Sequence, residues 1–378
     1  MTDTKKSKPA AKASLQANGA ATGAEGYAPV TYDLAQEDPE ALKHYYYQMR
    51  LLRRFEERAG EMYTKAKIGG YCHLNLGEEA TIIGLMTALK QEDYIYTNYR
   101  EHGYIIARGA EPGAVMAELF GRETGVSGGR GGSMHLFDAA KHFMGGYAIV
   151  GGQIPLATGA AYALKYKGEP GVVFCQLGDA TTNIGAWYES LNLAALYKLP
   201  IVFFIVNNGF GMGTTVNEGS SEPDLYKKGD AFRIHGEQVD GTDVLVVRNT
   251  VRRLRERAEK EGLPAIMDVH SFRFRGHSVI DADRYRDQAE VKQDRVRFDP
   301  ILHFEQQLTD AKIIDDSWMK QIRDQVEQEV QAAVDFADKS PLPKMEDMYQ
   351  YMYASEVPNT ISEAEREMFE SRLNGGAK

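Results

Sequence analysis

Cysteine is scarce: the chain has two in 378 residues, Cys72 and Cys175. Neither belongs to a CxxC pair, which argues against a disulfide framework and against a zinc cluster of the usual spacing. A reducing cytoplasm is then the natural compartment. An excess of positive charge is also lacking. The formal net charge is −10, which speaks against nucleic acid or an anionic membrane as a partner. No apolar run is long enough to cross a membrane. The opening "MTDTKKSKPAAKASLQANGAATGAEG" has no continuous apolar core of the secretory type. Asp3 and the absence of arginine there count against a transit peptide, the alternative that would place the protein in the mitochondrial matrix. Residues 1–27 read as a disordered tail, and there are no internal repeats.

What is present is ample apolar material, 43% of the residues, arranged in alternating helical and strand patterns. After an Asp-Pro start, Leu42, Tyr46, Met49, Leu52, Phe55, Ala59 and Met62 recur at helical spacing. "GEEATIIGLMTALK" is a second predicted helix and "DYIYT" a short strand. Residues 121–152 are dense in glycine, which predicts loops with positive φ or close backbone approach. "PLATGAAYALKYK" is a predicted helix. "GVVFCQLGD" and "PIVFFIVNN" are uniformly apolar strands flanking a helix whose predicted inner face is Ile184, Tyr188, Leu191 and Ala195. "DVLVVRNTVRRLRERAEK" predicts a helix leading to the strand "PAIMDVHSFRF". Strands this apolar belong to a mostly parallel sheet with helices on both faces. The expected fold class is therefore α/β, over 28–300. A helical C-terminal extension follows over 301–378, in which Trp318, Ile322, Val326, Val330 and Val334 step by four and "SPLP" breaks the pattern.

The chemistry concentrates at two strand ends. Gly178-Asp179 closes one apolar strand, and Asn207-Asn208 closes the next. Ligands of open parallel sheets bind at the carboxyl ends of strands. There one carboxylate and one carboxamide oxygen, with a main-chain carbonyl, form a ligand set suited to magnesium or calcium. A helix beginning near Asn183 would aim its amides at a phosphate on that cation. Turn residues after strands are the plainer explanation of either dipeptide alone; the two together, with a complete βαβ unit between them, favour a magnesium diphosphate site. A nicotinamide site at "GFGMGT" is the competing reading. Its glycines fall as G-x-G-x-G, and the following "TTVNEGSSEPD" does not read as the opening of a helix.

The pattern resembles the thiamine diphosphate signature. "GYCHLNLGEEA", "YTNYREHG", "GGRGGSMHLF", "GGYAIVGGQIPLATGAA", "NLAALYKLPIVFFIVNNGFGMGT" and "RFRGHS" with "YRDQAEV" resemble the α subunits of the pyruvate dehydrogenase first component. These belong to the thiamine diphosphate-dependent 2-oxo acid dehydrogenase family. The likeness runs from about Tyr45 to Pro300 in the same order, and implies the thiamine diphosphate-binding fold.

Carried over position by position, the resemblance implies that Asp179, Asn208 and the main-chain carbonyl of Phe210 bind Mg2+. Tyr99 and Arg100, with backbone at Gly178, Ala180 and Thr181, would hold the diphosphate. Ala148 and Val150 would line the organic rings, and His73 and His277 would face the reacting centre as catalytic residues. Three positions depart from the family pattern: Ala180 and Ala148 replace glycine, and Phe210 replaces tyrosine. None removes a metal ligand. His277 lies in a polar run between arginines, suited to an anionic substrate. His135 is balanced between a channel role and a structural one. His44, His142, His235, His270 and His303 read as surface or satisfied residues.

The implied reaction is oxidative decarboxylation of pyruvate, with transfer of the acetyl group to a lipoyl group on an acyltransferase core. The implied partner is a β subunit in an α2β2 heterotetramer, because no second run of parallel strands appears that could supply the aminopyrimidine's glutamate. Branched-chain 2-oxo acid and acetoin dehydrogenases are the enzyme alternatives. A catalytically silent α-like subunit is the third, and it would be expected to lose Asp179, Asn208 or His277. Phosphorylation at Ser278 is conceivable from its loop position, but further serines of a regulated loop are absent.

Overall fold

The structure is a computed structural model that describes residues 32–345 together with Asp347, Glu367, Met368 and Ser371. The expected tail over 1–27 lies outside the described residues, as does most of the chain beyond 347.

In chain order the regular elements begin with α1 (Pro39–Thr64), α2 (Glu79–Met86), β1 (Tyr94–Asn98), α3 (His102–Ala107) and α4 (Pro112–Leu119). Next come β2 (Phe143–Tyr147), α5 (Gln153–Lys167), β3 (Val173–Gly178), α6 (Gly185–Leu196) and β4 (Ile201–Asn207). The small β5 (Phe210–Gly211) and β6 (Thr214–Thr215) precede α7 (Val216–Gly219), β7 (His235–Asp240), α8 (Val244–Glu261) and β8 (Ala265–His270). The helices α9 (Gln288–Arg297), α10 (Pro300–Asp310) and α11 (Asp316–Lys339) close the described order.

Six strands form one parallel sheet in the order β2-β1-β3-β4-β8-β7. Alternation along β4 explains its unbroken apolar sequence. Val202, Phe204 and Val206 enter the core shared with α1, α2 and α8, while Ile201, Phe203 and Ile205 enter the core beneath α5 and α6. The helix signals act as read. Asp38 caps α1, accepting from the Glu40 N–H, with Pro39 at the first position. The stripe from Leu42 to Met62 is buried. Asp243 caps α8 through the Leu245 and Val246 amides. Helices α10 and α11 pack Ile301, Phe304, Leu308, Ile322, Val326 and Val330 into the same core as α1.

Three expectations are corrected. The inner face of α6 is Trp187, Ser190, Leu191 and Ala194; Tyr188 points outward. Helix α6 begins at Gly185, after an extended Ile184, and Ile184 and Ala195 are partly buried at the margin of that face. The helix expected to begin near Asn183 begins at Gly185, and a 3-10 turn over Asp179–Asn183 precedes it, so that turn carries the amides at the strand end. Finally, the glycine-rich stretch conceals β2, and the polar segment before α8 forms β7. Both are sheet edges, where no run of apolar residues is required.

Candidate active site

Strands β3 and β4 are neighbours with Gly178 opposite Val206, so Asp179 and Asn208 leave the sheet at the same end. A cavity of about 650 Å³ opens there. Its walls come from the carboxyl ends of β1, β3 and β4 and from the segments after β2 and β8, with the stretch before α2 across from them. All twelve residues singled out above line it: His73, Tyr99, Arg100, Ala148, Val150, Gly178, Asp179, Ala180, Thr181, Asn208, Phe210 and His277. His135 does not; its ring bonds the Gly146 carbonyl instead.

At the inner end, Asp179 is buried, and its Oδ1 accepts from its neighbour's amide, Ala180 N, at 2.6 Å. Its Oδ2 is buried with no hydrogen-bond partner, and so is Asn208 Oδ1. Burial pushes the Asp179 carboxyl up to about 6, with Asp268 adding to the rise and the Ala180 and Gly209 amides and Arg273 opposing it. Two orphaned oxygens past the ends of neighbouring strands are costly in a protein interior, and a hard cation would satisfy them. Among the described residues no group of three or more His, Cys, Asp and Glu side chains is gathered as a metal cluster. A cation here would therefore rest on one carboxylate, one amide oxygen and a carbonyl. Ala180 sits in the 3-10 turn and is not among the residues with positive φ. Its methyl faces Gly211, where any Cβ would come within 2.5 Å of it, so Gly211 makes room for the departure from glycine.

Two buried guanidiniums face the same space. Arg100 donates to the Leu74 carbonyl and, at 2.8 Å, to the His277 carbonyl. Arg273 donates to the Arg275 carbonyl at 3.0 Å and to the Tyr285 hydroxyl at 2.8 Å. Neither forms an ion pair among the described residues. Burial, with Arg100 nearby, holds Arg273 below its ordinary pKa. Paired cations bonded only to neutral acceptors fit a polyanionic group such as a diphosphate.

The outer end is aromatic. The His73, Tyr99 and His277 rings cluster, with centroids 4.5 Å apart for His73–Tyr99, 5.0 Å for His73–His277 and 5.6 Å for Tyr99–His277. Burial, then Arg100, lowers His73 to about 2 and His277 to about 4. Both imidazoles are neutral at pH 7, and each has a buried Nδ1 without a partner. The backbone N–H of His277 donates to Asp281 Oδ2 at 2.6 Å. Burial raises the Asp281 carboxyl, but bonds from Tyr285, Asp283 and His277 outweigh it and hold the group down at about 2.

Four groups escaped the sequence reading. Arg273 falls three residues past the end of β8, where strand alternation can no longer say which arginine of "RFR" turns inward. Glu78 reads as the start of a helix, yet it is buried and lines the cavity. Glu118 is fully buried in α4, and its carboxylate accepts from the amides of Ser127, Gly129, Gly131 and Gly132, organising the glycine-rich run. The buried His102 links Glu56 to Ser133 with contacts of 3.0 and 2.8 Å. Glu118 left one signal, an acid inside the otherwise apolar α4, whereas Glu56 lies among the many charges of α1 and left none.

The model of the family described as dehydrogenase E1 component matches residues 47–346. Among curated proteins, the chain is 44% identical over 305 residues to the pyruvate dehydrogenase E1 component subunit alpha of Rickettsia felis, covering 81% of this chain and 93% of that one. It is 42% identical over 304 residues to the protein of that name from Rhizobium meliloti, at 80% and 87% coverage. The Porphyra purpurea protein of the same name is 40% identical over 316 residues, at 82% and 92% coverage.

Proposed function

Because the chain belongs to the dehydrogenase E1 component family, we propose that it is the α subunit of a pyruvate dehydrogenase. This is an oxidoreductase that decarboxylates pyruvate with thiamine diphosphate and passes the acetyl group to a lipoyl disulfide. The observation that carries the reading is one cavity holding two orphaned oxygens, Asp179 Oδ2 and Asn208 Oδ1, beside two guanidiniums without carboxylate partners, Arg100 and Arg273.

These residues fit the cofactor. Asp179, Asn208 and the Phe210 carbonyl would hold Mg2+, and Arg100 and Arg273 the diphosphate. The amides of the turn from Ala180 and Thr181, with Tyr99 beside them, would complete that end. Bound thiamine diphosphate supplies the nucleophilic carbon and electron sink that 2-oxo acid decarboxylation requires. The chain's own part is to bind, to exclude water and to hold hydrogen bonds at the reacting end. There His73 and His277 are neutral and so can each donate and accept. Ala148 and Val150 offer apolar walls for the rings.

The partner is inferred to be a β subunit, and the acceptor a lipoyl-bearing acyltransferase. Ile149 and Val150 are exposed at the cavity rim, and Leu156, Tyr162, Tyr166, Leu193 and Leu196 are exposed on α5 and α6. Apolar side chains gathered on adjacent elements mark an interaction surface. No helix of the described residues is long and apolar enough to cross a membrane. Two free, buried cysteines support a reducing compartment, here the cytoplasm. The test is turnover of a panel of 2-oxo acids by the full chain co-expressed with its β partner. Pyruvate should be preferred; a branched-chain acid turning over faster overturns the assignment of substrate.

A further inference from the structure

We propose that Glu78 is a positioning residue. It sets the polarity of the Asn208 amide, so that the oxygen and not the nitrogen faces the cation. This rests on the metal reading of Asp179 and Asn208.

A carboxamide has two nearly isosteric ends, and only one can bind a cation. If the amide turned over, a hydrogen-bond donor would be aimed at the metal. The Nδ2 of Asn208 lies 3.4 Å from Glu78 Oε1. Glu78 sits at the start of α2, is buried, and makes no capping bond to its helix. Its other oxygen, Oε2, accepts from Asn75 Nδ2 at 3.1 Å.

Asn75 is not free to turn. Its Oδ1 accepts from the Gly103 backbone N–H at 3.3 Å, and its Nδ2 also donates to the Arg100 carbonyl at 3.3 Å. Backbone groups cannot exchange donor and acceptor roles. The order of roles therefore propagates from the backbone to the site. The Gly103 amide fixes Asn75 with its NH2 toward Glu78. Glu78 accepts at both oxygens, at Oε2 from Asn75 and at Oε1 from Asn208, so Asn208 offers Glu78 its donor. Its Oδ1 is left over, buried and unpartnered, on the wall of the cavity.

The arrangement separates a polarity effect from a charge effect. In Glu78→Gln one oxygen becomes a donor. Asn75, held by two backbone groups, keeps the oxygen of the introduced amide, and the introduced NH2 faces Asn208. Asn208 then turns its oxygen to that NH2 and its nitrogen to the cation. Glu78→Met removes the same charge but adds no donor, so the Asn208 amide stays free to follow the metal. In Glu78→Gln/Asn208→Asp, one oxygen of the introduced carboxylate can accept from the introduced NH2 while the other still reaches the cation.

The readout is Mn2+ affinity in the presence of thiamine diphosphate, by calorimetry and by electron paramagnetic resonance of free Mn2+. The sample is the full chain co-purified with its β partner, with metal-free melting as the fold control. Glu78→Gln should weaken Mn2+ binding by about tenfold or more, roughly the 1.4 kcal/mol of one decade. Glu78→Met should lose only a few-fold, and the double variant should return to within a few-fold of wild type. Equal losses in Glu78→Gln and Glu78→Met would show that only the charge matters and overturn the proposal, as would wild-type affinity in Glu78→Gln. If Glu78→Gln fails to fold, a loss of tenfold or more in Glu78→Met, or no recovery in the double variant, overturns it alone. A failure of the metal reading is distinct: Asp179→Ala would then bind Mn2+ and cofactor as wild type does.

Discussion

The Arg100 side chain holds the backbone of His277. Its Nη2 donates to the His277 carbonyl at 2.8 Å, while its Nη1 donates to the carbonyl of Leu74, next to His73. One buried guanidinium thus ties together the two segments that bring the histidine rings face to edge. The same cation faces the cavity where a diphosphate would sit. If the diphosphate binds as proposed, its binding and the placement of the two histidine segments are coupled through one side chain.

Replacement of Arg100 by Met leaves both carbonyls without their donor. Each unsatisfied buried acceptor costs about 1–3 kcal/mol, so the cofactor-free variant should melt at lower temperature than wild type. Its thiamine diphosphate affinity should fall as well. Limited proteolysis should cut the segment following His277 faster than in wild type. Unchanged cleavage and melting would mean that Asp281 and Tyr285 alone hold the segment.

A pH dependence of stability follows from His277. Its folded value, about 4, lies below the ordinary 6.5 because of burial, with Arg100 and Arg273 adding to it. Between those values the unfolded chain binds a proton that the folded chain does not. Stability from this group is therefore complete above about pH 6.5 and is lost as pH falls towards 4. The stability of His277→Asn, followed by urea unfolding across that window, should fall less steeply than that of wild type. Parallel curves would show that His277 does not contribute.

Glu118 supplies a test of the glycine-rich run. Oε2 accepts from the Ser127 and Gly129 amides, both at 2.8 Å, and Oε1 from Gly131 and Gly132 at 2.7 and 3.1 Å. In Glu118→Gln one of those oxygens becomes a donor facing two N–H groups. The expected loss is about 1–3 kcal/mol or more, measured by chemical denaturation. A change below about 0.5 kcal/mol, the usual range of surface substitutions, would mean that the loop is held by other contacts.

For His277→Ala the expectation is different again. The ring clusters with His73 and Tyr99 and is not among the groups proposed to hold the cation, so cofactor affinity should survive within a few-fold. Overall complex activity should fall by about 10²–10⁴-fold, the usual contribution of an acid–base group. Activity within a few-fold of wild type would mark the residue as peripheral.

The sequence made β3 and β4 legible because both faces of those strands are buried and their residues are apolar almost throughout, Gln176 being the break within β3. Strands β2 and β7 were not, since edge strands tolerate the glycines of "FMGGY" and the polar residues of "HGEQVD". On α6 the expected stripe erred at Tyr188, which points outward, and missed Trp187; Leu191 is buried, and Ile184 and Ala195 pack at the margin of the same core. Motif residues were legible wherever the site follows a strand end directly, as with Asp179 and Asn208. Glu78 and Arg273 were not, because their importance lies in bonds to Asn208 and Tyr285, partners far away or across an irregular turn. No local pattern encodes such pairs.

The remaining prediction concerns the chain on its own, purified to homogeneity with excess Mg2+ and thiamine diphosphate: it should not turn over pyruvate. On the proposed reading the cavity offers oxygens for a cation, guanidiniums for a diphosphate, and imidazoles at the reacting end. One carboxylate on its wall, Glu78, is occupied by Asn75 and Asn208, and the other, Asp179, is assigned by that reading to the cation. Neither is free to engage an aminopyrimidine nitrogen, the contact that the resemblance assigns to a second chain. Ile149, three-quarters exposed at the rim, and the open faces of α5 and α6 are where such a chain would cover apolar surface. A partner that binds only the folded state also raises its stability. Adding the β subunit should therefore restore decarboxylation and raise Tm together. Substitution of Leu156 and Tyr166 by Asp should weaken both effects while leaving the melting of the isolated chain unchanged. Robust turnover by the isolated chain would mean that the whole site lies within it, and the α2β2 reading would fall.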